Sequence, residues 1–162
     1  MYLTVTASIE SVTPAAWNRV AGTDNPFLRH EFLAALEASG CVTEARGWRP
    51  QHLLLHADGL GRGALLGCVP LYLKDHSYGE YVFDWAWADA YRRARLEYYP
   101  KLIAAVPFTP AAGPRLLVAP DAPPDSRAQL INGARALADE LNVSSLHWLF
   151  TDDADTRQLE QH

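Results

Sequence analysis

The chain has 162 residues and a formal net charge of −5, with 49% apolar and 20% charged side chains. That length fits one domain with a core of its own. The acidic balance excludes a general nucleic-acid backbone binder such as a DNA-binding protein, leaving room only for a local basic groove. Cys41 and Cys68 lack paired-ligand spacing and read as small buried hydrophobes. The N-terminus has no basic-then-apolar leader, and no apolar run approaches the ~20 residues that cross a bilayer. A cytoplasmic protein without a membrane span is therefore expected.

Residues 3–9 alternate apolar and hydroxyl side chains, as a half-buried strand does. Thr13-Pro14 marks a helix start with proline in the first turn, and that helix runs through Trp17 and Val20. Asn25-Pro26 opens a second helix carrying Leu28, Phe32, Ala35 and Leu36 at helical spacing, closed by Ser39-Gly40. Residues 52–57 and 64–73 read as two strands of a hairpin around the glycine-rich link 58–63. That link lacks the lysine-serine/threonine pair of a phosphate loop.

Asp84 reads as the cap of a helix presenting Phe83, Trp87, Ala90, Tyr91 and Ala94 on one face, with Arg92, Arg93 and Arg95 near its C-terminal end. Residues 98–106 predict another strand, 107–114 a proline-rich loop and 115–119 a short strand. Leu130, Ala134, Leu137, Ala138 and Leu141 mark the clearest amphipathic helix, and 145–150 a last strand. Residues 1–150 thus read as a single α/β domain, with helices on both sides of a mixed, mainly antiparallel sheet. The polar tail 151–162 shows no core pattern and is expected to fray.

The densest chemistry lies in residues 74–87, where an amine, a hydroxyl, an imidazole, phenols, carboxylates and indoles follow an apolar strand. Such a mixture suits a pocket that orients a polar ligand against flat apolar walls. Asp75-His76-Ser77 contains the residue types of a hydrolase triad, but sequence neighbours project apart and no Gly-x-Ser-x-Gly elbow is present. His76, Glu80 and Asp84 have the i, i+4, i+8 spacing of ligands on a helix, yet Gly79 and the preceding strand indicate a loop, so no metal site is expected.

At Asn25-Pro26-Phe27, His30, Phe32-Leu33, Gly47-Trp48, Pro50 and His52-Leu53 the chain resembles a known family. The likeness continues through Pro70-Leu71-Tyr72-Leu73-Lys74, His76-Ser77-Tyr78-Gly79-Glu80-Tyr81-Val82-Phe83-Asp84-Trp85, Tyr98-Tyr99-Pro100-Lys101-Leu102, Pro107-Phe108-Thr109-Pro110 and Gly113. These residues, over about 25–150, are similar to the FemAB-like family of the GNAT acyltransferase superfamily, bacterial proteins related to peptidoglycan biosynthesis. The resemblance implies a GNAT-like fold and transfer of an acyl or aminoacyl group to an amine, with acyl-CoA or aminoacyl-tRNA as donor. It also implies longer relatives with a second GNAT-like half, so that this chain matches an N-terminal half. No pyrophosphate-binding Gly-x-Gly loop precedes the helix after Pro124, which favours the aminoacyl-tRNA donor.

Acyl transfer to an amine needs a deprotonated nucleophile, a donor to the tetrahedral oxyanion and orientation. His76, Glu80 and Asp84 are the candidate proton-transfer residues. Lys74 and Lys101 suit a carboxylate or phosphate, Ser77, Tyr78 and Tyr81 an oxyanion, and Trp87, Phe108 and Thr109 complete the candidate substrate-binding set, with Trp85 as a further stacking surface. Each has a plain alternative: a loop histidine, a helix cap, strand-end lysines, core tryptophans and a rigid turn. The competing function is a non-catalytic ligand-binding or homodimerising module.

Overall fold

The structure, a computed structural model, describes residues 1–59 and 63–162; the tip of the expected 58–63 link thus lies partly outside the described residues. Among the described residues, eight strands and five α-helices form a mixed α/β architecture, as the element order implies. The strands are β1 (Tyr2–Thr6), β2 (Arg49–Pro50), β3 (His52–His56), β4 (Leu65–Val69), β5 (Leu71–Lys74), β6 (Lys101–Ala104), β7 (Leu117–Val118) and β8 (Leu146–Trp148). The helices are α1 (Pro14–Ala21), α2 (His30–Ala38), α3 (Trp85–Arg93), α4 (Ser126–Glu140) and α5 (Asp153–Glu160).

The one mixed sheet of the sequence reading is two four-stranded sheets, ordered β1-β3-β4-β7 and β2-β5-β6-β8. The run 64–73, read as a single strand, is broken at Pro70. Proline has no N–H to give to a ladder, so β4 ends in the first sheet and β5 begins in the second. Gln51 makes the matching break between β2 and β3, and its amide donates to the Leu71 carbonyl at 2.8 Å. Both chain segments thus pass from one sheet to the other at the same seam. The first sheet is antiparallel throughout. In the second, β6 pairs antiparallel with β5 but parallel with β8. A parallel pair needs a long crossover, and α4 lies within it.

Alternation along β3 explains its unbroken Leu53-Leu54-Leu55 run. Leu53 and Leu55 point to a core built with Leu130, Ile131, Ala134 and Leu137 of α4. Leu54 points the other way, to Trp17 and Val20 of α1 and Leu33 of α2. Helices therefore cover both faces of the first sheet. On the second, Tyr72 of β5 and Ile103 of β6 form a separate cluster with Trp48 and Leu149.

The structure rules out the core alternative for the tryptophans of the helix after Asp84: no residue of α3 is buried, and Trp85 and Trp87 are 58% and 66% exposed. The tail, expected to fray, contains α5, and Asp152 caps that helix by accepting the Asp155 amide. The fully buried Asp155 carboxylate then accepts the amides of Arg115 (2.5 Å) and Leu116 (2.8 Å). These polar anchors carry no apolar periodicity, so the pattern that reveals α4 is silent here.

Candidate functional site

Lys74 ends β5 and Lys101 begins β6, and the ladder sets them directly opposite each other. Both side chains are buried. Two like charges on facing positions repel, so the pair requires anions, and the 77–84 loop supplies them. The Lys101 ammonium donates to Glu80 at 2.7 Å and also to Asp84. Asp84 further accepts the hydroxyls of Tyr98 (2.5 Å) and Tyr99 (3.1 Å), and the Tyr99 oxygen lies 3.2 Å from Ser77 Oγ. Lys74 sits 3.8 Å from the centroid of the Trp48 ring and donates to the Tyr78 carbonyl at 3.1 Å.

These contacts split the titrations of Lys74, Glu80 and Asp84. Burial lowers Lys74 to about 8, against the opposing pull of Glu80. Burial raises Glu80 above its ordinary value although Lys101 pulls the other way, and its Oε1 has no partner. Burial also pushes Asp84 up, but Lys101 and Tyr98 more than offset it and hold the carboxyl well below the usual range. Asp84 is thus no helix cap: its side chain makes no capping bond to α3 and turns inward instead.

Above this cluster lie two adjoining cavities. The first, about 600 Å³, is lined by residues 39–41, Ala45, Arg46, Trp48, His76, Tyr78 and Phe108. The second, about 490 Å³, is lined by His76, Ser77, Tyr78, Trp85, Ala88, Asp89, Arg92 and Tyr99. His76 and Tyr78 line both, their rings edge-to-face at 5.2 Å. The loop reaches this position because Gly47 and Gly79 take positive φ (+67° and +82°). A Cβ on Gly47 would lie 2.3 Å from His76 Nε2, and one on Gly79 2.6 Å from the Phe108 ring.

The Tyr78 amide donates to His76 Nδ1 at 3.3 Å. With that nitrogen accepting, the neutral ring carries its proton on Nε2. Burial lowers the His76 pKa, and Lys74 adds to the effect. At neutral pH the imidazole therefore offers a hydrogen-bond donor.

Of the sequence candidates, His76, Ser77, Tyr78, Trp85 and Phe108 line the cavities. Lys74, Glu80, Asp84 and Lys101 converge beneath them, and none of the four lines either. Tyr81 is exposed at φ 59°, Trp87 is exposed on α3, and the Thr109 hydroxyl is turned to the Pro107 carbonyl. Sequence reasoning missed Arg46, Trp48, Tyr98 and Tyr99 as site residues. The dipeptides Gly47-Trp48 and Tyr98-Tyr99 carried the resemblance without signalling a role.

Among the described residues no group of three or more His, Cys, Asp or Glu is placed to hold a metal ion. None of their helices is long and apolar enough to cross a membrane. Between β7 and α4, residues 119–125 bring Pro120, Pro123, Pro124, Asp121 and Asp125. Prolines offer no amides and carboxylates repel anions, so this helix start is unsuited to a pyrophosphate.

No curated protein and no solved structure matches the chain. The family model described as FemAB-like, peptidoglycan biosynthesis/recognition, matches residues 8–162 and so takes in both cavities, the ion cluster and α5. The chain belongs to the FemAB-like family, which carries a peptidoglycan-related role.

Proposed function

We propose that this domain transfers an acyl or aminoacyl group to an amine of a cell-wall precursor, working by orientation and hydrogen-bond donation without a covalent intermediate. The observation behind this reading is the shared wall: two cavities meet at one imidazole whose free N–H is a donor. Donor ester and acceptor amine would enter from the two sides. The amine nitrogen attacks the acyl carbon, and the oxyanion that forms accepts the His76 Nε2–H. The C–N bond is completed as the ester C–O bond breaks, and the amine's proton passes through water to the departing oxygen. Glu80, Asp84, Lys101 and Lys74 position the loop that carries His76; they do not move protons to substrate. The unsuitable start of α4 favours an aminoacyl ester of tRNA over acyl-CoA as donor.

A second reading, a peptidoglycan-recognition module without turnover, draws support from one fact. Among the described residues, Asp89 is the sole carboxylate lining either cavity, and it is ion-paired to Arg92 and Arg93. Incubating the protein with aminoacyl-tRNA or acyl-CoA and an amine-bearing precursor peptide separates the two. New amide product supports transfer, whereas saturable peptide binding with no product from either donor supports recognition alone.

A further inference from the structure

The two cavities differ in charge. No carboxylate lines the first, whereas Asp89 lines the second. Arg46 projects from the segment between α2 and β2 into the first cavity, and its guanidinium makes no ion pair or side-chain hydrogen bond among the described residues. Its neighbours are otherwise committed: Glu44 is 3.5 Å from Arg49, and the Lys74 ammonium stacks on the Trp48 indole. Asp75, beside His76, is exposed and does not line the cavity.

A second observation points to a ligand. Trp48 is fully buried and lines this cavity, yet its indole N–H has no partner among the described residues. A buried donor left unpaired is costly unless something outside the chain satisfies it. The Gly79 backbone packs close beside that nitrogen; a Cβ there would stand 3.1 Å from Nε1 and 2.6 Å from the Phe108 ring. The Phe108 ring, its centroid 5.4 Å from that of Trp48, adds an aromatic wall.

We infer that the first cavity is an oxyanion subsite, in which Arg46 pairs with a phosphate or carboxylate while a flat part of the same ligand lies against Trp48 and Phe108 and accepts the indole N–H. An arginine fork suits either anion bidentately, and the lysine behind the indole adds positive potential from beneath. In the proposed transfer reaction a phosphate would come from the nucleotide end of the donor, and a carboxylate from the peptide acceptor. The inference rests on that reaction only for naming these sources.

The test follows indole N–H signals of isotopically labelled full chain by NMR, with the Trp48 signal assigned through Trp48→Phe. The probes are inorganic phosphate, adenosine monophosphate and an alanine dipeptide with either a free or an amidated C-terminus. The expected result is a saturable shift of the Trp48 signal, with affinity falling at least 10-fold in Arg46→Gln, partly restored in Arg46→Lys and unchanged in Arg92→Gln of the second cavity. Binding of the nucleotide assigns the subsite to the donor; binding of the free but not the amidated dipeptide assigns it to the acceptor. No saturable binding of any probe, or equal affinity in Arg46→Gln, overturns the inference. Arg46-dependent binding in a preparation that catalyses no transfer leaves the subsite standing and counts against the transferase reading alone.

Discussion

Lys74 and Lys101 stand opposite each other on β5 and β6, both buried, and both held by the loop that forms the floor of the two cavities. The loop's conformation and the lysine pair therefore depend on one another. Removing Lys101 takes from Glu80 and Asp84 the ammonium that donates to both, and breaking a buried ion pair from one side costs about 3–5 kcal/mol. Lys101→Ala should lower stability by that amount in denaturant unfolding. Lys101→Met combined with Glu80→Gln and Asp84→Asn should recover a large part of it. A loss under 1 kcal/mol for the single variant would contradict the cluster.

Lys74 gives the cluster a pH signature. Its folded pKa of about 8 lies below the ordinary lysine value of 10.5, chiefly through burial. Between these values the unfolded Lys74 binds more protons than the folded one, so its own contribution to stability should rise from about pH 8 to 10, by on the order of 2 kcal/mol. The buried Cys68 thiol, pushed up by burial from its ordinary value near 9, acts in the opposite sense over the upper part of that window. Above 10 the raised tyrosines, Tyr98 and Tyr99, act in the opposite sense, because the folded state then keeps protons that the unfolded chain releases. In denaturation midpoints measured across pH 7–10, the wild type should gain on Lys74→Met as pH rises from about 8 to 10, because the Cys68 contribution is common to both; a constant difference would contradict the buried lysine.

The anchoring of Asp155 makes the C-terminal helix an expected structural part of the domain. Asp155→Ala would strand the buried amides of Arg115 and Leu116, and an unpaired buried donor costs about 1–3 kcal/mol. Deleting 152–162 should cost at least as much. A truncated chain with wild-type stability would return the tail to the frayed segment that its polarity suggests.

Much of the fold was legible because most strands and helices bury one face. The alternation of Leu53, Leu54 and Leu55 and the spacing of Leu130, Ala134 and Leu137 follow directly from that. The division into two sheets was hidden, since the apolar stretch 64–73 is hydrophobic on both sides of Pro70. At α3 the sequence left Trp85 and Trp87 between ligand surface and core; both stand exposed, and of the two Trp85 lines a cavity. At the site, local reading found the 74–87 stretch. It missed what depends on register and distant contact: Lys74 facing Lys101, Tyr98 and Tyr99 closing on Asp84, and Arg46 and Trp48 arriving from before β2.

His76 separates the two chemical roles open to an imidazole. As a general base it would lose activity on protonation; as a donor from Nε2 it would not, because both nitrogens of the charged ring carry protons. The most direct measurement is kcat/KM for amide formation from aminoacyl-tRNA and an amine-bearing precursor peptide. It compares wild type, His76→Gln and His76→Ala across pH 5.5–8.5. Loss of a positioned oxyanion donor typically costs 10²–10³-fold. The expected result is a loss of that order for His76→Ala, a smaller loss for His76→Gln, and pH profiles of wild type and His76→Gln that run parallel, both following protonation of the acceptor amine. Wild-type activity in His76→Ala, or an acidic limb present in the wild type and absent from His76→Gln, would contradict transfer by orientation and hydrogen-bond donation.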